Sequence, residues 1–215
     1  SLCGLLGVHW WQQGRKEGRL LMAAGIAVLG LIAAIAHNFR QDARWQMFSQ
    51  TVPYAWNIDQ HRFWLDRSQN HLPVLPSGET VDESAYERIA FIHAGLRFMT
   101  WAPLGVGYRR TAFVRAEERF YGIGNKHAHS GVIELGVGGG IPALLLWFGT
   151  MAILLVRGWQ QGLKHHNPYG LALLFIVSGF CGRMVLENIF RDHMLEVFLF
   201  LLGLLLAFTR ATHRH

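Results

Sequence analysis

Charge is what this sequence has least of. Only 16% of its 215 residues are Asp, Glu, Lys or Arg, where average soluble domains carry roughly a quarter. Cysteine is almost missing: Cys3 and Cys181 both sit in apolar runs, so a disulfide framework is not expected. Lysine is scarce too, three residues against seventeen arginines, a bias that suits planar recognition of carboxylate or phosphate. The net charge of +6 and a pI near 9.8 bring no basic stripe and no nucleic-acid motif, so nucleic acid is not an expected partner. What the chain does have is apolar residues, 51% of the total, gathered into blocks around one polar stretch of about a hundred residues. That distribution excludes a soluble enzyme, a disordered tail and a collagen-like fibre.

Residues 20–36 (LLMAAGIAVLGLIAAIA) and 135–156 (LGVGGGIPALLLWFGTMAILLV) contain no charged residue. A hydrocarbon core about 30 Å thick needs about 17–25 helical residues, so both read as membrane spans. Two shorter blocks, apolar but for Arg183 and Glu196, read the same way. The expected fold is all-α, a polytopic helical membrane protein, with spans at 20–36, 134–156, 168–186 and 194–209. The connections GRKEGR (14–19) and RGWQQGLKHHN (157–167) and the tail TRATHRH (209–215) all bring Lys or Arg close to a membrane end. With alternating spans they share one side, which the positive-inside rule makes cytoplasmic. Residues 157–167 are then a cytoplasmic loop and 210–215 a cytoplasmic tail. Residues 37–133 form a large loop on the outer side, and 187–193 a short outer turn. The chain starts at Ser1 on the run SLCGLLGV, too short to span, so 1–19 read as the end of a truncated membrane helix plus a cytoplasmic loop.

The outer loop reads as helices lying along the membrane. Pro53 opens one, TVPYAWNIDQHRFWL, since proline is tolerated in a first helical turn. HLPVLPSGET (71–80) is a break. Ser84 and Glu87 then make a capping-box pattern that opens SAYERIAFIHAGLRFMTW. In that helix Ile89, Ile92, Leu96 and Met99 recur at the spacing of one buried face, which places Arg88 roughly 60° from its centre and Arg97 roughly 120° away. Arg88 should therefore point towards packed material and need an anion, and Arg97 should reach water. A bridge from Arg88 to Glu87 or another acid is the competing reading.

The run PLGVGYRR (103–110) has glycines that permit close backbone approach, beside Arg109 and Arg110. A phosphate cradle and a plain turn both fit it. The most specific local feature is KHAHSGVIELGVGGGIP (126–142), in which His127 and His129 stand just before an apolar helix. Histidine titrates near neutrality and can act as a general base towards a sugar hydroxyl. Half a metal site, without an Asp or Cys cluster to complete it, and a structural histidine at a helix mouth are the alternatives.

Taken in order, ERIAFIHAGLRFMTWAPLGVGYRR, HAHSGVIELGVGGGIP and the apolar helices after them resemble the C-terminal half of the O-antigen ligase and polymerase superfamily. The family pattern is an Arg in the outer loop, a Pro-Gly-Gly turn, and a His followed by Asn or Ser. A Leu or Ile stands four residues beyond that His, with Gly-x-x-Gly further on. His129, Ser130, Ile133 and Gly140 match, while Ala143 takes the second glycine position. The resemblance spans about residues 40–205 and looks most like the lipopolysaccharide ligases.

That resemblance implies a GT-C-like glycosyltransferase fragment in the bacterial inner membrane with its site facing the periplasm. It implies transfer of O-antigen from undecaprenyl diphosphate to a sugar hydroxyl of lipid A-core, by an inverting displacement with no metal or other cofactor. His129 would be the catalytic residue and Arg88 would bind the diphosphate. Arg191, at the outer end of the last two spans, would be a second diphosphate contact; His127, Arg109, Arg110 and Arg183 are further candidates. Arg183 with Glu187 or Glu196 fits a structural ion pair equally well. The implied partners are the lipid-linked glycan, the acceptor, membrane lipid and the N-terminal half of the same protein, which would carry a further arginine. An O-antigen polymerase or a protein O-oligosaccharyltransferase differs only in acceptor. From another class, a non-catalytic lipid-diphosphate binder or a transporter remains. A transporter would be expected to carry charge near the bilayer midplane, whereas these charges sit near the outer ends of the spans.

Overall fold

The computed structural model describes residues 42–124, 127–190 and 193–211, with six helical positions between 26 and 37. The segment 1–19, most of the span 20–36, Arg191 and the last four residues of the tail lie outside the described residues. By contacts the chain divides into two compact units, Ser1–Gln50 and Thr51–His215. The first contains the start of helix α1 (Ala43–Trp56), opened by Asp42, whose carboxylate accepts from the Arg44 N–H at 2.9 Å. Everything below concerns the second unit.

The helix expected to open at Pro53 instead ends three residues later, at Trp56, with Pro53 in its interior. Asn57 stops it: its amide donates to the Gln60 side chain at 2.7 Å and a tight turn follows, fixed by the Trp64 indole N–H donating to the Ile58 carbonyl. The run 71–80 is a break, pinched by an isolated bridge between Val74 and Thr80.

Helix α2 (Glu83–Trp101) is capped by Asp82, whose carboxylate accepts from the Ala85 N–H, rather than by Ser84. A carboxylate at the helix N-terminus meets the positive end of the dipole, which a hydroxyl does not. Glu87 is not a capping partner; it is buried, and Arg67 reaches it at 2.6 and 3.0 Å. The buried face also differs from the aliphatic spacing. Tyr86, Ala90, Phe91, Ala94 and Phe98 are inside together with Ile89 and Met99 of the expected face, while Ile92 and Leu96 are exposed. Aromatic volume and small residues that admit a neighbouring helix decide the face here, not the aliphatic period. Helix α3 (Ala112–Tyr121), ended by Gly122 at φ 74°, packs Phe113 edge-on to Phe91 and Phe98.

Helix α4 (Gly131–Trp159) is broken at Gly140. Before the break it is mostly buried; beyond it Leu145, Leu146, Ile153 and Val156 are exposed. One turn of π-helix, Gln160–Lys164, leads to helix α5 (Pro168–Leu186), and Asn167 caps α5 by accepting from the Tyr169 N–H. Gly158, Gly162 and Gly170 let these two helices touch backbone to backbone, since a Cβ on Gly158 would lie 2.8 Å from the Leu174 nitrogen. Small residues are what membrane helices use for such approach. Helix α6 (Met194–Ala211) joins them through stacked rings of Phe180 and Phe198, 3.7 Å between centroids. Two stretches, Gly131–Lys164 and Pro168–Leu186, are long and apolar enough to cross a membrane, and Met194–Thr209 is a shorter apolar helix. Among the described residues there is no strand beyond that one bridge, and the helices are joined by turns and irregular loops, the longest between Trp56 and Glu83.

Candidate functional site

His129 sits in the turn between α3 and α4 and is exposed. Its ring stacks on Phe91 of α2, 6.0 Å between centroids at 25°, and lies 5.3 Å from the His127 ring. Below it, Ile133 packs on Gly95 and Gly136 faces Met99. α2 and the first half of α4 thus run side by side in the same direction, with residues 91, 95 and 99 of one against 129, 133 and 136 of the other.

Arg88 precedes Phe91 by three positions, about one turn earlier in α2. The expected surroundings of the arginines are reversed, however. Arg88 is exposed and makes no ion pair among the described residues. Arg97 is half-buried and grips Asp59 through both terminal guanidinium nitrogens at 2.6 and 2.8 Å. The guanidinium holds the Asp59 carboxyl below its ordinary value and is itself pushed up. Once Phe91 and Phe98 set the inner face, Arg88 falls outside it, and its charge stays available to an external anion.

PLGVGYRR is a backbone clamp, not a cradle. Gly140 stands at φ 72° and ψ −172°, a conformation suited to glycine, and the α4 ladder opens there. The Val106 and Gly107 N–H groups donate to the freed carbonyls of Val137 and Gly138 at 2.9 and 3.0 Å, and the Ile141 N–H donates to the Pro103 carbonyl at 2.9 Å. Those amides are occupied and cannot bind phosphate. The clamp does carry the side chains of Arg109 and Arg110 to the surface, exposed, while Arg115 of α3 lies beside Gly107. Arg115 joins these cations without having been singled out in the sequence.

A third segment closes the site. The Gly131 N–H donates to the Glu187 carbonyl at 2.9 Å, and the Ser130 hydroxyl reaches the Met184 carbonyl at 3.5 Å. The turn after α5 is thereby held against the HAHSG segment. Arg183 pairs with Glu187 at 2.6 Å, so the ion pair weighed for it is formed. Arg191 cannot be placed, being outside the described residues. Tyr108, packed edge-on to Phe190, has its hydroxyl pushed up by burial, with the carboxylates of Glu196 and Glu134 adding to the effect.

Sequence reasoning missed Glu134. Its side chain is buried, 2% exposed, and its two oxygens accept from the Ala128 and Phe113 N–H groups, each at 3.0 Å. The available signal was a lone carboxylate at the mouth of a charge-free helix, five residues after His129. Among the described residues no cluster of three His, Cys, Asp or Glu side chains is arranged to hold a metal ion.

The described fold is that of an all-helical membrane protein, with His129 in the turn just before an apolar helix and with Arg88, Arg109 and Arg110 exposed. The family model described as O-antigen ligase matches residues 1–148, and the chain belongs to that family, whose members are membrane glycosyltransferase-type enzymes of the ligase and polymerase kind. The match takes in the Arg88 helix, the clamp and the HAHSG segment, and stops within α4. No curated protein and no solved structure matches the chain.

Proposed function

We propose that this chain carries the transfer site of an enzyme that moves O-antigen from undecaprenyl diphosphate to a sugar hydroxyl of lipid A-core, on the periplasmic face of the inner membrane. The observation that carries the reading is the exposed His129 ring stacked on Phe91, one helical turn from the exposed Arg88. In this reaction the His129 imidazole takes the acceptor's hydroxyl proton. The oxygen attacks the anomeric carbon from the face opposite the diphosphate, the bond to the diphosphate oxygen breaks, and the configuration inverts. Charge develops on the leaving undecaprenyl diphosphate, and guanidinium groups neutralise it bidentately while staying protonated themselves. Arg88 is that group, with Arg109 and Arg110 close in sequence to the clamp and Arg191 as a further contact. An apolar cleft of about 240 Å³ between α5 and α6, with Arg183 among its lining residues, suits a hydrocarbon tail.

The test is the membrane-reconstituted protein incubated with lipid-linked glycan and lipid A-core, scoring ligation against polymerisation. His129→Ala removes the base and should lower transfer by about 10²–10⁴-fold, and Arg88→Ala should bring it to background, both at unchanged membrane level. If both variants still decorate the acceptor, the site assignment is wrong. Full activity in chelator is the expected companion result, and loss restored by zinc or magnesium would return the HAH segment to the metal reading.

A further inference from the structure

We propose that Glu134 is the positioning residue of the transfer reaction, fixing the distance between His129 and the cations around the start of α3; this rests on the reading just given. The carboxylate is buried. One oxygen holds the Ala128 N–H, the backbone between the two histidines, and the other holds the Phe113 N–H in the first turn of α3. Arg109 and Arg110 lie just before that turn and Arg115 two residues beyond Phe113. A single buried side chain thus joins the segment bearing the base to the segment bearing guanidinium groups.

Local capping by Thr111 would have met the need of the Phe113 amide without linking the two. Thr111 stands at the N-cap of α3 and Ser130 at the N-cap of α4, both residue types suited to capping, yet neither side chain caps its own helix. Ser130 turns to Met184 instead, and the α3 amides go to Glu134. Burying a carboxylate is costly unless hydrogen bonds compensate. Here that cost secures a connection between segments fifteen residues apart, from Phe113 to Ala128. A misplacement of about 1 Å can cost on the order of 10²-fold in rate, so such a tether acts on turnover, not on binding of the lipid.

The experiment compares Glu134→Gln, Glu134→Asp, His129→Ala and Val137→Ala in liposomes, with lipid-linked glycan and lipid A-core as the probes. Gln keeps one acceptor oxygen and turns an NH2 towards the other amide. Its kcat per folded protein should fall about 10- to 100-fold, with KM for the donor within about twofold. Asp keeps both acceptors on a shorter stem and should recover part of the loss. Val137→Ala, a core truncation on the same helix, controls for lowered stability and should leave kcat per folded protein unchanged. Wild-type kcat in Glu134→Gln, a loss confined to KM, or an equal loss in Val137→Ala overturns the inference. If His129→Ala is inactive while Glu134→Gln is fully active, positioning alone fails; if His129→Ala transfers normally, the transferase site itself fails.

Discussion

The two halves of α4 are built for different surroundings. From Gly131 to Gly138 the helix is buried almost throughout and carries a charged residue, Glu134, whose oxygens are taken up by neighbouring backbone. Beyond Gly140 it carries no charge until Arg157 and presents Leu145, Leu146, Phe148 and Ile153 outward. A buried carboxylate is tolerable only where protein supplies its partners. A row of exposed leucines is tolerable where lipid is the solvent. The break at Gly140 thus separates a mostly buried stretch from an apolar one that is mostly exposed, and His129 stands just before the buried stretch.

The sharpest way to break this comparison is to close the joint. Any Cβ at Gly140 falls on the Pro103 carbonyl and 2.7 Å from the Gly105 nitrogen, with φ at 72°. Gly140→Val should cost more than about 3 kcal/mol, since backbone strain of about 1–3 kcal/mol is added to a clash that backbone cannot relieve. The expected result is little folded protein in the membrane, read as membrane level and melting midpoint in detergent. A folded Gly140→Val protein with normal stability would mean that α4 is one continuous helix.

Next in size is charge placed beyond the joint. Leu145→Arg puts a guanidinium on the exposed apolar face and should oppose insertion by about 2.5–3.5 kcal/mol if near the bilayer centre. Leu96→Arg, at an exposed position of α2, should stay within about 0.5 kcal/mol because it meets water. Glycosylation-site mapping of insertion efficiency reads the first, and the melting midpoint reads the second. Equal effects would erase the distinction between the outer layer and the span.

How much of this was legible in the sequence follows from the range of the forces involved. The apolar runs and the ordered His-Ser, Pro-Gly-Gly and Gly-rich segments are local, and they led to a helical membrane protein and to its family. Helix limits were partly lost where a nearby side chain decided them: Asp82 outcompetes Ser84, and Asn57 stops α1. The inner face of α2 could not be read from aliphatic spacing, because Phe91 and Phe98 are chosen by what α3 and α4 bring to them. Hence Arg88 was expected inside and Arg97 outside, the reverse of what is found. The role of Glu134 was missed for the same reason, since its partners are backbone amides 6 and 21 residues away.

The smallest effect expected lies in the outer layer, at the pair that Arg97 makes. Asp59→Asn removes one charge from a bidentate contact whose carboxylate is largely exposed. Exposed pairs contribute about 0.2–1 kcal/mol, and this two-bonded one belongs near the upper end. Because Arg97 holds the Asp59 carboxyl below its ordinary 3.8, the folded state binds this proton less readily than the unfolded chain. The contribution is therefore complete above about pH 4–5 and is lost as pH falls through the lower folded value. His61, whose imidazole is pushed down by burial, also weakens the fold on acidification, but from its ordinary 6.5 downward, and equally in both proteins. The difference in melting midpoint between wild type and Asp59→Asn should accordingly be flat from pH 8 to 5 and vanish towards pH 2. A difference that instead tracks the His61 range would show that Asp59 is not held by Arg97.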